Sequence, residues 1–390
     1  MKKLLAVLLI AFVYTGVNAQ YYYNPQINAG ENPGGINTDS EFPNGGGLDA
    51  SWSLILATQT TPTWSSQQTI PFAFEFNGDT VSSYYVSTSG VLTFSSNPGN
   101  APGYQNSNLP EVSIPDSSIC VWGLEPIGAN DDIMSKTFGS APNRQHWVFF
   151  TSYGHYGAGS TAWTYWSIVL EETTNNIYIV DQRTGNTTTA LTLGIQIDFS
   201  TYLEVAGSPN IANNAGTDET PNDNSYYEFF PGTRPPIDLG VTEFQMAPFL
   251  DNNNAPFAID GKIINFGADT VTQFTLSYQV NNDPPVSANI TGVSIPTNGS
   301  YNFSHPTPWA PATSGNYTIK LYSSLPNNLP DTINYNDTLL SSTTVLDTLI
   351  NKKVVLEEGT GAWCGYCPDG AVVVENILAS NNNVIAVAIH

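Results

Sequence analysis

The sequence predicts a mainly β protein in which two β-sandwich domains precede a short β-α-β unit. Three observations lead to this prediction. The 390 residues include 32 Gly, 27 Pro and 20 Tyr, a composition typical of β-sheets joined by many tight turns. Short apolar stretches, some alternating with period two, recur up to residue 346. Apolar residues at helical spacing between two strand candidates follow only after that point.

Composition and charge narrow the classes of partner. Lys and Arg number 10 against 33 Asp and Glu, and the formal net charge is -23. So few basic side chains argue against nucleic acid, because phosphate binding draws on clustered Lys and Arg. With 41% hydrophobic and 12% aromatic residues, the chain has enough apolar side chains to fill its cores, which argues against disorder.

The N-terminus has the features of an export signal. Lys2 and Lys3 precede an uncharged apolar run over residues 4–13, and Val17-Asn18-Ala19 has suitable residues at the two positions that a signal peptidase reads. The pattern predicts a signal peptide over residues 1–19, cleaved after Ala19. The alternative is a membrane anchor, but the run is short for a bilayer and no later segment is long enough to span one. We expect an exported protein that is not membrane-spanning.

Residues 20–232 are predicted to form the first β-sandwich, of jelly-roll type. A lead-in rich in Gly, Asn and Pro over residues 24–47 reads as a loop. Residues 69–76 alternate apolar and other side chains, and Asn77-Gly78 predicts a hairpin turn. The further strand candidates are residues 84–94 with a break at Gly90, 119–122, 146–153, 163–171, 176–181 and 191–198. Eight to ten strands in about 200 residues are typical of a sandwich or jelly roll.

Residues 236–346 are predicted to form a second, immunoglobulin-like sandwich. Six or seven strand candidates in about 110 residues have the number and spacing of that fold. Three stretches, DLGV over residues 238–241, GKIINFG over 261–267 and INYNDTLL over 333–340, resemble the CARDB-type modules of bacterial surface proteins. The resemblance implies a fold and no activity.

Residues 347–390 are predicted to begin a different, α/β domain. Residues 353–358 form a strand candidate, residues 369–380 have helical spacing, and residues 384–390 are an apolar run suited to a buried parallel strand. The segment Trp363-Cys364-Gly365-Tyr366-Cys367-Pro368 lies between the first strand and the helix. The result is a β-α-β unit with C-x-x-C at its first junction.

The C-x-x-C spacing at a strand-to-helix junction is typical of a redox dithiol. A helix N-terminus favours a thiolate on Cys364, and Cys367 is close enough to attack a mixed disulfide formed there. A structural disulfide is the second interpretation, suited to an oxidising compartment. A zinc half-site is the third, for which the nearby sequence offers only His390 as a further ligand.

The residues around the cysteines resemble the thioredoxin-like module of the Omp28-related outer-membrane proteins of Bacteroidetes. The resemblance rests on VVLEE, WCGYCP and VIAVAIH in order, within about 40 residues. It implies thiol–disulfide exchange on client proteins, with Cys364 as nucleophile, Cys367 as resolving thiol and Glu358 as the carboxylate that exchanges protons with Cys367. From the residues alone, Glu358 is equally well a strand-end acid. No cofactor is implied.

The thioredoxin fold also contains a cis-proline loop and further strands and helices, which do not follow the β-α-β unit before His390. We therefore expect residues 347–390 to be the incomplete N-terminal part of such a domain. The combined prediction is an exported protein of the periplasm, outer membrane or surface of a Gram-negative bacterium, with a thiol–disulfide oxidoreductase module. The alternative is a non-enzymatic adhesion or binding protein whose cysteines form a structural disulfide.

Three weaker features have a structural and a functional interpretation. Cys120, flanked by apolar residues, is predicted to be a buried small hydrophobe. The acidic segments 130–132 and 218–223 are interpreted as solvated turns, with Ca²⁺ binding as the alternative. The aromatic-rich stretch 153–166 is interpreted as sandwich core and surface, with a face for a glycan or other surface ligand as the alternative.

Overall fold

The computed structural model describes residues 21–26, 30–41, 51–128, 130–158, 162–185, 190–348 and 353–389. The predicted signal peptide and His390 lie outside these residues. The chain divides into two compact units, Met1–Arg234 and Pro235–His390. Within the described ranges, no helix combines the length and apolar character needed to cross a membrane.

The first unit is a β-sandwich of two antiparallel sheets, as the sequence predicts, with fourteen strands in its described part instead of eight to ten. One sheet has the order β1-β14-β11-β10-β9-β8-β2, with β7 paired to β9, and the other has the order β13-β12-β6-β5-β4-β3. The strands are β1 (Tyr21–Tyr23), β2 (Ser53–Leu56), β3 (Gln68–Phe76), β4 (Asp79–Val86), β5 (Val91–Thr93), β6 (Ser118–Trp122), β7 (Leu124–Glu125), β8 (Ile133–Ser140), β9 (Asn143–His155), β10 (Trp163–Glu171), β11 (Ile177–Gly185), β12 (Thr192–Gln196), β13 (Tyr202–Glu204) and β14 (Ser225–Pro231).

The two sheets share one apolar core. In β3, Phe72 and Phe74 are buried while the residues between and beside them are exposed, which confirms the predicted period-two alternation. Asn77 and Gly78 both have positive φ and turn the chain into β4, as the hairpin prediction requires. Strands of the larger sheet, including β10 through Ile168, supply the facing side of the same core.

The central strands of the larger sheet are buried on both faces. Along β11 every residue is buried, and along β10 all but the two end residues are. The face that points away from the shared core has an apolar cluster of its own, which includes Trp147, Phe149 and Val169. Segment 30–41 bonds to this side, where the Pro33 carbonyl accepts from Gln145 Nε2 at 3.2 Å.

The lead-in predicted as a loop is therefore partly buried, polar side chains included. Asn32, Asn37 and Glu41 are 1%, 3% and 1% exposed. Burial raises the pKa of the Glu41 carboxyl to about 9. The Asn32 amide donates to the Asn37 carbonyl at 3.0 Å, so the segment supplies its own hydrogen bonds where no strand pairs with it.

The aromatic-rich stretch is packed inside the unit. Tyr153 and Trp166 are 0% exposed in the shared core, and Tyr165 belongs to the outer cluster. Tyr156, at 49% exposure, and the partly buried Trp163 are the exceptions in the described part of the stretch. These buried rings serve as core of the sandwich, as the structural interpretation predicts for them.

Cys120 is a free, fully buried cysteine, which confirms the prediction. It packs with Leu109, Ile114 and Trp122 on the outer face of the smaller sheet. Burial raises the pKa of its thiol above the ordinary value, so it is chemically inert in the folded protein.

The second unit contains an immunoglobulin-like sandwich and the predicted β-α-β unit. Its sheets have the orders β15-β17-β20, β16-β22-β21-β18-β19 and β23-β24, and the first two share a core that includes Ile263, Leu276 and Ile319. The elements are β15 (Leu239–Phe244), β16 (Phe249–Asp251), β17 (Asp260–Asn265), β18 (Val271–Val280), β19 (Val286–Ile295), β20 (Ser300–Ser304), β21 (Gly315–Ser324), β22 (Thr338–Leu346), β23 (Val354–Gly359), α1 (Cys367–Ser380) and β24 (Val384–Ile389).

The last strand differs from its prediction in one respect. β24 pairs parallel to β23, from Val384 opposite Val354 to Ile389 opposite Gly359. It is not buried, however, since Ile385 and Val387 are 45% and 43% exposed. A parallel strand is buried only where elements cover both of its faces, and α1, which has no buried residue, does not provide that cover.

We predict that Gly90, where the sequence suggests a break between strands, tolerates no side chain. Its φ is +87°, and a Cβ there would lie 2.0 Å from the Val121 carbonyl oxygen. Gly90→Ala should cost at least about 3 kcal/mol of unfolding free energy or prevent folding. Gly99→Ala is the matched control, because Gly99 has φ +69° and nothing within 4 Å of an added Cβ. Urea denaturation that shows equal losses for the two variants would contradict the predicted clash.

We predict that the burial of neutral His146 lowers the stability of the first unit in acid. Its Nε2 lies 2.9 Å from the Tyr84 hydroxyl and its Nδ1 lies 2.9 Å from the Thr137 hydroxyl. Burial lowers the pKa of His146 to about 4. The unfolded chain takes up the proton below about pH 6.5 and the folded chain only near pH 4, so the contribution of His146 to stability falls as the pH falls between these values.

The expected contribution of His146 to this loss is about 2 kcal/mol between pH 7 and pH 4.5. It is measured as the difference in unfolding free energy between pH 7 and pH 4.5. Relative to the parent chain, His146→Gln should gain stability at pH 4.5 compared with pH 7, whereas His155→Gln, at a half-buried site, should keep the parent's difference. An unchanged difference in His146→Gln would assign the acid sensitivity to other groups.

Candidate redox site at Cys364 and Cys367

A tight loop between β23 and α1 brings the two cysteines together. The Cys364 amide donates to the Gly361 carbonyl at 3.0 Å, and the Cys367 amide donates to the Cys364 carbonyl at 3.4 Å. These two successive turns fold residues 361–367 back on themselves. The Cα atoms of Cys364 and Cys367 are 5.5 Å apart, and their sulfurs form a disulfide.

The helix begins closer to the cysteines than the sequence indicates. α1 starts at Cys367 instead of residue 369, with Pro368 in its first turn, a position where a missing N–H is tolerated. The first full helical hydrogen bond runs from the Gly370 amide to the Tyr366 carbonyl at 3.2 Å. Cys367 therefore lies inside the first helical turn, and Cys364 lies in the turn before it. Both sulfurs are close to the end of the helix that favours negative charge.

Two large aromatic side chains beside the disulfide face solvent. Trp363 is 91% exposed and Tyr366 is 85% exposed. The two cysteines themselves are half-buried, and the Cys367 sulfur lies 3.9 Å from the Gly359 carbonyl oxygen at the end of β23. The disulfide is therefore partly exposed and flanked by two exposed aromatic rings.

Glu358 lies near the first turn of the helix that contains Cys367. It is half-buried on β23, opposite Ala388 of β24. A Cβ added at Gly370 would lie 2.7 Å from Oε1 of Glu358, so this carboxylate occupies space that any larger residue at 370 would share. Glycine is a poor helix former, and its presence at 370 leaves room for the Glu358 side chain.

Zinc binding has little support from the geometry. The two cysteines are joined to each other and lack the thiolates that zinc coordinates. His390, the further ligand suggested by the sequence, lies outside the described residues. Across the ranges that the structure describes, no three His, Cys, Asp or Glu side chains are arranged to hold a metal ion.

The two acidic segments are held by hydrogen bonds to neighbouring amides. Asp131 is only 1% exposed, and its carboxylate accepts from the Ile127 and Gly128 amides. The interpretation as a solvated turn is therefore wrong for Asp131, because the carboxylate closes its own loop. In the second segment, the Asp223 carboxylate accepts from the Gly216 amide at 2.9 Å and from the Asp218 amide at 3.4 Å.

We predict that Glu358 assists proton transfer at the disulfide. Glu358→Gln should slow reduction of the disulfide by dithiothreitol at pH 7 by at least about tenfold, since a positioned proton donor or acceptor is lost. Glu357→Gln is the matched control, because Glu357 is exposed on the other side of the same strand. Counting free thiols over time gives both rates. Equal rates for the two variants would leave Glu358 as a strand-end acid only.

The solved structures that resemble this chain do so at low TM-scores. The CARDB domain of a Pyrococcus furiosus protein in complex with di-metal ions is 16% identical, with 29% of this chain and 96% of that chain covered and a TM-score of 0.23. A domain of a Methanosarcina acetivorans protein described as a cell surface protein is 21% identical, with 29% and 91% covered and a TM-score of 0.22. The extracellular domain of a hybrid two-component system from B. thetaiotaomicron is 8% identical, with 68% and 42% covered and a TM-score of 0.16.

Comparison with curated proteins found no match. The sequence model of the family described as NIDO related matches residues 51–231, which is less than half of the chain. No model of the Omp28-related or thioredoxin families matches, so that resemblance rests on the residues around Cys364 alone. The matched region runs from β2 to the end of β14, and this part of the first unit is therefore similar to the NIDO-related family.

Proposed function

We propose that this protein is exported to the cell envelope or surface and exchanges its Cys364–Cys367 disulfide with the thiols of other proteins. The observation that carries the proposal is the closed disulfide at the start of α1, flanked by the exposed rings of Trp363 and Tyr366. The two exposed rings beside the disulfide form an apolar surface that a client protein would cover. An exchange site needs an approachable sulfur and a surface for the client.

The exchange balances without a cofactor. A client thiolate attacks the Cys364 sulfur, a client–Cys364 disulfide forms, and the bond to Cys367 breaks with its electron pair on the Cys367 sulfur. A second client thiolate then attacks the client sulfur of this mixed disulfide. The client leaves oxidised, and Cys364 and Cys367 have gained two electrons and two protons. The reverse sequence reduces a client disulfide.

Two features support Cys364 as the sulfur that bonds to the client. It lies in the turn before α1, whereas Cys367 is inside the first helical turn and its sulfur lies near the Gly359 carbonyl. The resemblance to the Omp28-related thioredoxin-like module assigns the same roles to the same positions. Cys367 then acts as the leaving and resolving thiol.

The location outside the cytoplasm is supported by the N-terminal sequence. Lys2 and Lys3, the apolar run over residues 4–13 and the cleavage pattern ending at Ala19 are typical of exported proteins. A formed disulfide is consistent with an oxidising compartment. The two β-sandwiches would then present the disulfide and would be free to bind a surface ligand.

We predict that the two cysteines behave differently when substituted. Cys367→Ser should accumulate a mixed disulfide with insulin, detected as a covalent mass increase. Cys364 can still attack an insulin disulfide in this variant, but no Cys367 thiol is present to release the insulin. Cys364→Ser should accumulate none. Cys120 does not interfere, since it is fully buried. Equal trapping by both variants, or none by either, would favour the alternative of a non-enzymatic binding protein with a stapled loop.

The reduction potential of the pair decides the same question in the unsubstituted chain. A structural staple lies below about -300 mV, and an exchange site lies above that value. Equilibration with glutathione and with dithiothreitol buffers brackets the potential. A value below the boundary, together with absent trapping, would overturn the proposed exchange.

A further inference from the structure

A group of acidic side chains surrounds the loop that precedes β14, far along the chain from the cysteines. Asp181 on β11 pairs with Ser225 on β14. One oxygen of Asp181 accepts from the Asn214 amide and from the Ala215 amide. Asp223 accepts from the next amide, Gly216, at 2.9 Å. Successive amides of one loop thus hold two carboxylates close together.

The lead-in segment contributes a third carboxylate to the same place. The Glu41 amide donates to the Glu219 carbonyl at 3.1 Å, and Glu41 Oε1 accepts from the Asn224 side-chain amide at 2.6 Å. Asn224 follows Asp223 directly in the chain. Glu41, Asp181, Asp223 and Asn224, the buried oxygen cluster, therefore border one loop of the first unit.

Each member of the buried oxygen cluster has an oxygen atom without a hydrogen-bond partner among the described residues. The atoms are Glu41 Oε2, Asp181 Oδ1, Asp223 Oδ1 and Asn224 Oδ1. Glu41 is 1% exposed, and Asp181 and Asn224 are 0% exposed. Burying an oxygen atom away from water without a hydrogen-bond donor costs free energy, and the cost is larger for a carboxylate oxygen.

The neighbouring cation does not balance these charges. Arg183, on the same strand as Asp181, pairs with Glu219 at 3.3 Å and stacks on the Trp163 ring at 5.0 Å. Its Nε donates to the Thr217 carbonyl. Arg183 shares its one positive charge with Glu219, so it cannot balance the three further carboxyl groups in their ionised form.

We propose that the buried oxygen cluster is a Ca²⁺ site. Carboxylate and side-chain amide oxygens are the ligands that Ca²⁺ takes in proteins, whereas Mg²⁺ gives up its waters less readily and is poorly served by a buried site. No three acidic, His or Cys side chains in the described part of the chain surround one point as ligands. The proposed protein ligands are accordingly only two carboxylates, Glu41 and Asp223, together with the Asn224 amide oxygen. Asp181 would add a further negative charge nearby, and water would fill the remaining positions.

The ion would join segments that are distant in the sequence. It would bind residue 41 of the lead-in to residues 223 and 224 ahead of β14, and so hold segment 30–41 against the outer side of the larger sheet. The lead-in contains no strand over these residues, so the ion would replace the pairing that a strand would provide. The proposed ion would thus stabilise the fold of the first unit.

The test uses the full chain, treated with EDTA and dialysed. Calorimetric titration with CaCl₂ should show one saturable site per chain, and the melting temperature of the first unit should rise with Ca²⁺ and much less with equal Mg²⁺. Glu41→Gln should weaken Ca²⁺ binding at least tenfold, since Gln keeps the shape and the bond to Asn224 but removes the charge. Glu31→Gln, on an exposed residue of the same lead-in, should bind as the parent does.

Two outcomes would overturn the site. One is the absence of saturable Ca²⁺ binding by the parent chain up to millimolar concentration. The other is Ca²⁺ affinity equal to the parent's in both Glu41→Gln and Asp223→Asn. If Glu41→Gln does not fold, the affinity of Asp223→Asn decides. Tb³⁺ luminescence excited through nearby tyrosines, and lost on addition of Ca²⁺, gives an independent readout on the parent chain.

Discussion

The burial of β9, β10 and β11 on both faces is the constraint on which the first unit depends. One face of these strands meets the smaller sheet in the shared core, and the other contains Trp147, Phe149 and Val169. A sheet with two apolar faces needs cover on both sides. The smaller sheet covers one side, and irregular segments that lack strand pairing contact the other.

Where irregular segments cover the sheet, their buried polar groups need hydrogen-bond partners from side chains. A segment without ladder hydrogen bonds must satisfy its amides and carbonyls by side chains, and this explains why Asn32, Asn37 and Gln145 are buried and hydrogen-bonded. The same requirement brings Glu41 into the interior, where its carboxylate meets Asn224. His146 is a related case in the shared core, held neutral between two hydroxyls. The polar interior of this unit follows from how its sheet is covered.

The disulfide at Cys364 and Cys367 depends on a different and more local constraint. Turns within residues 361–367 join Cys364 to Cys367, and the adjacent helix and strand pairing are also formed by residues close in the sequence. Because short-range geometry suffices, the pattern W-C-x-x-C-P predicts that the two cysteines lie close together, and the structure shows them paired. The sandwich cores, in contrast, join residues more than a hundred positions apart, as the pairing of β1 with β14 shows.

The sequence by itself determined the mainly β class, the alternation of β3, the hairpin at Asn77-Gly78, the break at Gly90 and the β-α-β unit with its cysteine pair. Each of these depends on the period of apolar residues or on one turn, which neighbouring residues specify. Strands such as β8 and β14 escaped prediction because their side chains are mixed in polarity and their burial depends on distant partners. Only the tertiary structure decided that polar residues such as Glu41 and Asp131 are buried and that β24 is exposed. Burial depends on which segments cover a surface, and no local pattern of residues contains that information.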